Sequence, residues 1–290
     1  MNEIFIACLC FIALGGALGL LLSLASKVFH VKQDKRIDEI TDVLPSANCG
    51  GCGYPGCTNY AKAIVESGEK CNLCVAGGDE VAKKISYIMG LTAEPTVRFR
   101  AQVMCSGTNS LAKKKYILEG IDDCVAASKL AGGNKMCPNG CIGLGTCVKA
   151  CPFGAIHIHD GVAAVDYDAC KACGACVAAC PKEIIKLIPF EAKYWVGCMS
   201  VEKGAKTRSY CEVGCISCRL CEKNCPVGAI TVENFVAHID YDKCTHCGKC
   251  ESVCPRKIIW SKNAQDEDGL FITDMAEAKD EKEKPQEENQ

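Results

Sequence analysis

Residues 170–181 read CKACGACVAACP and residues 244–255 read CTHCGKCESVCP. Both follow C-x2-C-x2-C-x3-C-P, in which three close thiolates wrap one iron–sulfur cube and the cysteine before proline ligates a neighbouring cube. The proline fixes the exit of the chain and removes an amide. One such run leaves a site unfinished and therefore needs a second. For the later run the partner is 215–226, CISCRLCEKNCP, which completes two sets: Cys215, Cys218 and Cys221 with Cys254, and Cys244, Cys247 and Cys250 with Cys225.

The cysteines at 198, 211, 215, 221, 225, 244, 247, 250 and 254 each have a counterpart 74 positions earlier, the mark of an internal duplication. The connecting segments AIHIHDGVAAVDYD and AITVENFVAHIDYD alternate apolar residues about a turn, which predicts a short hairpin between the cluster loops of each copy. His157 and His159 read as exposed strand residues of the first hairpin. The earlier copy holds Cys170, Cys173 and Cys176 with Cys151 as one complete set. Its other set has Cys141, Cys147 and Cys180, but Leu144 stands where Cys218 stands in the later copy. Cys137 is expected to supply the missing thiolate, being four residues before Cys141 in a glycine-containing stretch. A three-ligand site is the alternative, and after Cys137 the next candidates are Cys105 and Cys124.

Nearer the N-terminus, residues 49–57 read CGGCGYPGC. Cys49, Cys52 and Cys57 with Cys74 make a further four-thiolate set, and the glycines let the loop fold tightly round an inorganic core. Cys71 competes with Cys74, which is preferred because Val-Ala-Gly-Gly follows it. Twenty cysteines are thereby assigned to five [4Fe–4S] clusters. Cys8, Cys10, Cys71, Cys105, Cys124, Cys198 and Cys211 remain, with ordinary buried thiols as the default. Count alone permits a sixth cluster from Cys105, Cys124, Cys198 and Cys211. Zinc is the bland alternative for any four-cysteine set, but it does not explain interlocked runs ending in Cys-Pro.

The 290 residues carry 27 cysteines, with Lys+Arg 33 against Asp+Glu 35 for a net charge of −2, which argues against a nucleic-acid binder. Five cubes at −2 each would take the loaded chain to about −12. No Rossmann fingerprint, P-loop or nucleophile elbow is present, so one-electron chemistry is what the motifs leave. Between Glu3 and Lys27 lie 23 uncharged residues, enough to span a bilayer, with Gly15 and Gly19 forming a G-x-x-x-G pair. The acidic start argues against a cleaved signal peptide. Lys27, Lys32, Lys35 and Arg36 follow the stretch and would hold the rest of the chain in the cytoplasm, where thiols stay reduced.

The fold expected is α+β: a transmembrane anchor at 1–29, a small 4Fe–4S domain at 30–90, ferredoxin modules at 100–190 and 191–262, and an acidic disordered tail at 263–290. An anchor, then CGGCGYPGC with a fourth cysteine before Gly-Gly, then ferredoxin runs, resembles the B subunit of the Rnf ion-translocating ferredoxin:NAD+ oxidoreductase complex. That resemblance implies an iron–sulfur electron relay at the cytoplasmic membrane. It implies reduced ferredoxin as donor, other complex subunits and membrane lipid as partners, and NAD+ reduction coupled to Na+ or H+ movement. A second ferredoxin module and Leu144 depart from the short form of the family. A membrane-tethered polyferredoxin serving a hydrogenase or another reductase is the alternative.

Overall fold

The computed structural model describes residues 2–28 and 34–261, without the side chains of 2–4, 7, 8, 10 and 26–28. The acidic segment expected at 263–290 lies outside the described residues. Helix α1, Asn2–Val28, covers the long apolar stretch. Among the residues described in full, no helix is long and apolar enough to cross a membrane. The anchor expected there stands as a proposal.

Three helices follow, α2 (Lys35–Val43), α3 (Cys57–Ser67) and α4 (Gly78–Met89). Asp34 caps α2 by accepting the Arg36 amide, and α3 and α4 each stop at a left-handed glycine, Gly68 and Gly90. Apolar residues spaced three and four apart bring Ile37, Ile40, Tyr60, Ile64 and Ile85 into one small core. The Tyr60 hydroxyl donates to the Lys70 carbonyl (2.7 Å) and accepts from the Leu73 amide (3.1 Å), which pins the loop carrying Cys74 beside α3.

The first ferredoxin copy contains β1 (Phe99–Val103), α5 (Cys124–Lys129), α6 (Thr146–Lys149), β2 (Ile156–His159), β3 (Val162–Val165), α7 (Ala175–Ala179) and β4 (Ile185–Pro189). The second contains β5 (Tyr194–Val196), α8 (Gly204–Tyr210), α9 (Leu220–Lys223), β6 (Ile230–Glu233), β7 (Val236–Ile239), α10 (Lys249–Ser252) and β8 (Ile259–Ser261). Each has two antiparallel pairs. β1 runs against β4 (Val103 opposite Ile185) and β5 against β8 (Val196 opposite Ile259). The expected hairpins are β2–β3, with Ile156 opposite Val165, and β6–β7, with Ile230 opposite Ile239.

The copies share a seam. Trp195 of β5 is buried in the core of the first copy, edge-on to Tyr167, with the fully buried Arg100 guanidinium over both rings at 5.1 and 3.7 Å. In the other direction, Leu111 and Ala112 cross into the core of the second copy, where Ala112 bridges to Cys211 and the Lys113 amide donates to the Tyr210 carbonyl.

Candidate iron–sulfur sites

Sulfur in this chain stands round spaces. Among the described residues no three His, Cys, Asp or Glu side chains converge closely enough to hold a single metal ion. Zinc, with bonds of about 2.3 Å to each sulfur, needs that convergence; a polynuclear core needs a lined cavity.

Cys49, Cys52, Cys57 and Cys74 line one such cavity, about 330 Å³ counting its mouth. Asn48 holds its rim by accepting the Cys57 amide (2.9 Å). Cys71 is not among the lining residues; it is buried in the helical core, where the Ser86 hydroxyl bonds it. Gly51 closes against the first ferredoxin copy, since a Cβ there would lie 3.0 Å from the Cys173 Cα. The Cys49 set is therefore next to the Cys170 set.

In the second copy Cys215, Cys218, Cys221 and Cys254 line a cavity of about 350 Å³ counting its open mouth. Burial raises the Cys221 thiol to about 12, and the proximity of Cys215, Cys254 and Cys218 adds to the rise. In the first copy burial likewise raises Cys176 to about 12, and the nearby thiols Cys170, Cys173 and Cys151 add to the rise. A bound cationic core would offset the cost of ionising thiols so placed. The Ala155 amide donates to the Cys151 Sγ (3.4 Å), and 74 residues on the Ala229 amide donates to the Cys225 Sγ (3.2 Å). For Cys244, Cys247 and Cys250, the Cys250 thiol rises to about 11, through burial first and then through Cys244 and Cys247.

The set containing Leu144 departs from expectation. Cys141, Cys147 and Cys180 line a cavity of about 380 Å³ counting its open mouth, and the fourth thiol on its wall is Cys124. Cys137 lines a different cavity. The physical reason is a small polar clamp: the Cys124 amide donates to the Thr146 Oγ1 (2.7 Å), and that hydroxyl donates to Asp123 Oδ2 (3.0 Å). Asp123 also caps α5 by accepting the Ala126 amide (2.8 Å). The start of α5 is thereby fastened to the start of α6, one residue from Cys147. Leu144 packs into the apolar cluster of Cys124, Ala127 and Ile142. Proximity in sequence favoured Cys137; the signal for Cys124 was an Asp-Cys pair opening a helix.

A family described as 4Fe-4S dicluster domain matches residues 169–229 and 214–258, and another of the same description matches 135–181. A third, described as putative Fe-S cluster, matches 44–76. The B subunit of the ion-translocating oxidoreductase complex of Methanosarcina acetivorans is 43% identical over 261 residues, 89% of this chain and 99% of that protein. The B subunit of the Na(+)-translocating ferredoxin:NAD(+) oxidoreductase complex of Acetobacterium woodii is 42% identical, over 83% of this chain and 73% of its own length. The proton-translocating counterpart of Clostridium ljungdahlii is 42% identical, over 89% and 93%. With its thiol-lined cavities, its dicluster matches and relatives of this identity over most of its length, the chain belongs to the B-subunit family of Rnf-type ion-translocating oxidoreductase complexes and carries several [4Fe–4S] clusters.

Proposed function

We propose that this chain takes electrons from reduced ferredoxin and relays them through clusters to membrane subunits of its complex, where NAD+ reduction is coupled to movement of Na+ or H+. Clusters of this kind supply one-electron transfer; the protein supplies their placement. The observation that carries the reading is adjacency. The Cys49 set touches the Cys170 set through Gly51 and Cys173. Cys147 lies within electrostatic reach of both Cys180 of its own set and Cys176 of the next. Neighbouring sets are what a relay requires.

The ligands proposed are Cys49, Cys52, Cys57 and Cys74; Cys124, Cys141, Cys147 and Cys180; Cys151, Cys170, Cys173 and Cys176; Cys215, Cys218, Cys221 and Cys254; and Cys225, Cys244, Cys247 and Cys250. Helix α1 is proposed as a single-pass anchor in the cell membrane with the remainder cytoplasmic. Supporting this, Phe5, Phe11, Leu14, Leu18, Leu20, Leu21, Leu22 and Leu24 are all exposed on it, more apolar surface than water tolerates on a lone helix. The basic residues follow it.

The test mixes anaerobically purified full-length chain with reduced ferredoxin and follows the visible iron–sulfur absorbance, with membrane fractionation alongside. Bleaching of the chain by ferredoxin and recovery in the membrane fraction are expected. A colourless zinc protein, or clusters that dithionite reduces and ferredoxin does not, would overturn the reading.

A further inference from the structure

Four thiols outside the proposed ligand sets meet at the seam between the ferredoxin copies. Cys105 follows β1, Cys137 precedes the Cys141 loop, and Cys198 and Cys211 flank α8. All four line one cavity, about 380 Å³ counting its open mouth, with the four-thiol wall also seen at the Cys49, Cys124 and Cys215 sets. Glycines keep room beside the sulfurs: a Cβ on Gly107 would reach 3.4 Å from the Cys211 Sγ, and one on Gly140 would reach 3.7 Å from the Cys137 Sγ.

Two further features suit an anionic core. Backbone amides aim at the sulfurs, Cys141 N to Cys105 Sγ at 3.4 Å, Cys215 N to Cys198 Sγ at 3.3 Å and Ser200 N to Cys198 Sγ at 3.5 Å. The same contact occurs at a ferredoxin-run ligand, Ala101 N to Cys170 Sγ at 3.4 Å. Lys135, only 3% exposed, lines the cavity while its ammonium donates to the carbonyls of Gly107 (2.7 Å) and Gly161 (2.8 Å). Asp160 is already an anionic neighbour of that buried ammonium, and a cube with four thiolates, carrying −2, would add to the charge it faces.

We propose that Cys105, Cys137, Cys198 and Cys211 bind a sixth [4Fe–4S] cluster that connects the two ferredoxin copies; the inference rests on the cluster reading above. Its position makes it a bridge. Cys105 receives the amide of Cys141, a proposed ligand of the first copy, and Cys198 receives the amide of Cys215, a proposed ligand of the second. Each passage takes one electron from the cluster on one side and delivers it to the cluster on the other, with no bond made or broken.

The experiment measures iron, sulfide and zinc in anaerobically reconstituted full-length chain, wild type against Cys198→Ala/Cys211→Ala, with EPR of the reduced protein. The wild type should hold about 24 iron atoms and the double variant about 20, with the remaining signals kept. Rapid-freeze EPR of the variant should show reduction reaching one ferredoxin copy well before the other. About 20 irons in the wild type, with or without one zinc, or a folded double variant with unchanged iron and spectrum, overturns the sixth site. If the variant does not accumulate, the wild-type count decides alone. Iron near zero would instead overturn the cluster reading as a whole.

Discussion

Cys124 and Cys198 occupy the same place in a 74-residue repeat and face different cavities. Three other paired positions differ with them: Asp123 against Gly197, Leu144 against Cys218, and Thr146 against Leu220. In the first copy Asp123 and Thr146 clamp Cys124 to α6, and Leu144, with no thiol to offer, packs as an apolar residue. In the second copy Cys218 lines the corresponding cavity, so Cys198 is released to the seam. Gly197 could not carry the acid in any case, because a Cβ there would come within 2.0 Å of the Ser106 hydroxyl. A repeat can thus keep its cysteines in register while reassigning what they surround.

The comparison breaks most visibly at Cys124. Cys124→Ala should remove one cluster, about four irons, or convert it to a three-iron form with an EPR signal already present when oxidised. Adding Leu144→Cys should restore the four-iron site by recreating the C-x2-C-x2-C spacing of the second copy. Full iron in Cys124→Ala would show that Cys124 is no ligand.

Arg100 distinguishes the copies by their bracing. Its guanidinium bonds Gln102 Oε1 (2.6 Å) and the Ala192 carbonyl (2.9 Å) and stacks on Tyr167 and Trp195, joining the first core to β5. Arg100→Ala should cost about 3–5 kcal/mol, by loss of packing and a buried cavity, seen as a lower denaturation midpoint of the loaded protein. A midpoint unchanged within error would mean the seam does not depend on it.

A smaller effect is expected from Thr146→Val, which keeps the shape and deletes the hydroxyl that Cys124 and Asp123 share. Leaving the Cys124 amide without its acceptor should cost about 1–2 kcal/mol and speed iron release from that one cluster under chelator. Equal release from all clusters would count against the clamp. Smallest of all should be Cys71→Ala, which trims a core thiol that does not line the cavity of the Cys49 set: iron content should stay at the wild-type value, while a loss of about four irons would put Cys71 in place of Cys74.

Much of this was legible in the residues. The Cys-Pro runs and the 74-residue offset marked the hairpins and the cysteines that face one another, because those spacings are set by wrapping a compact core. Cys74 lines the cavity of the Cys49 set, while Cys71 sits in the helical core. What stayed hidden depends on tertiary routing. Nothing local to Cys137 says that its loop turns toward Cys211, nor that the strand before Cys105 delivers it to the same place; Leu111 and Ala112 crossing into the second core decide that. The offset puts Cys124 and Cys198 in register but carries no information on which cavity each faces.

The most direct measurement is an anaerobic map of the loaded full-length chain, phased or validated with iron anomalous signal and read at Cys124 and Cys198. Cys124 should be bonded to iron shared with Cys141, Cys147 and Cys180, and Cys198 to iron shared with Cys105, Cys137 and Cys211. Iron linking Cys137 to Cys141 and Cys147, with Cys124 and Cys198 both unligated, would contradict it.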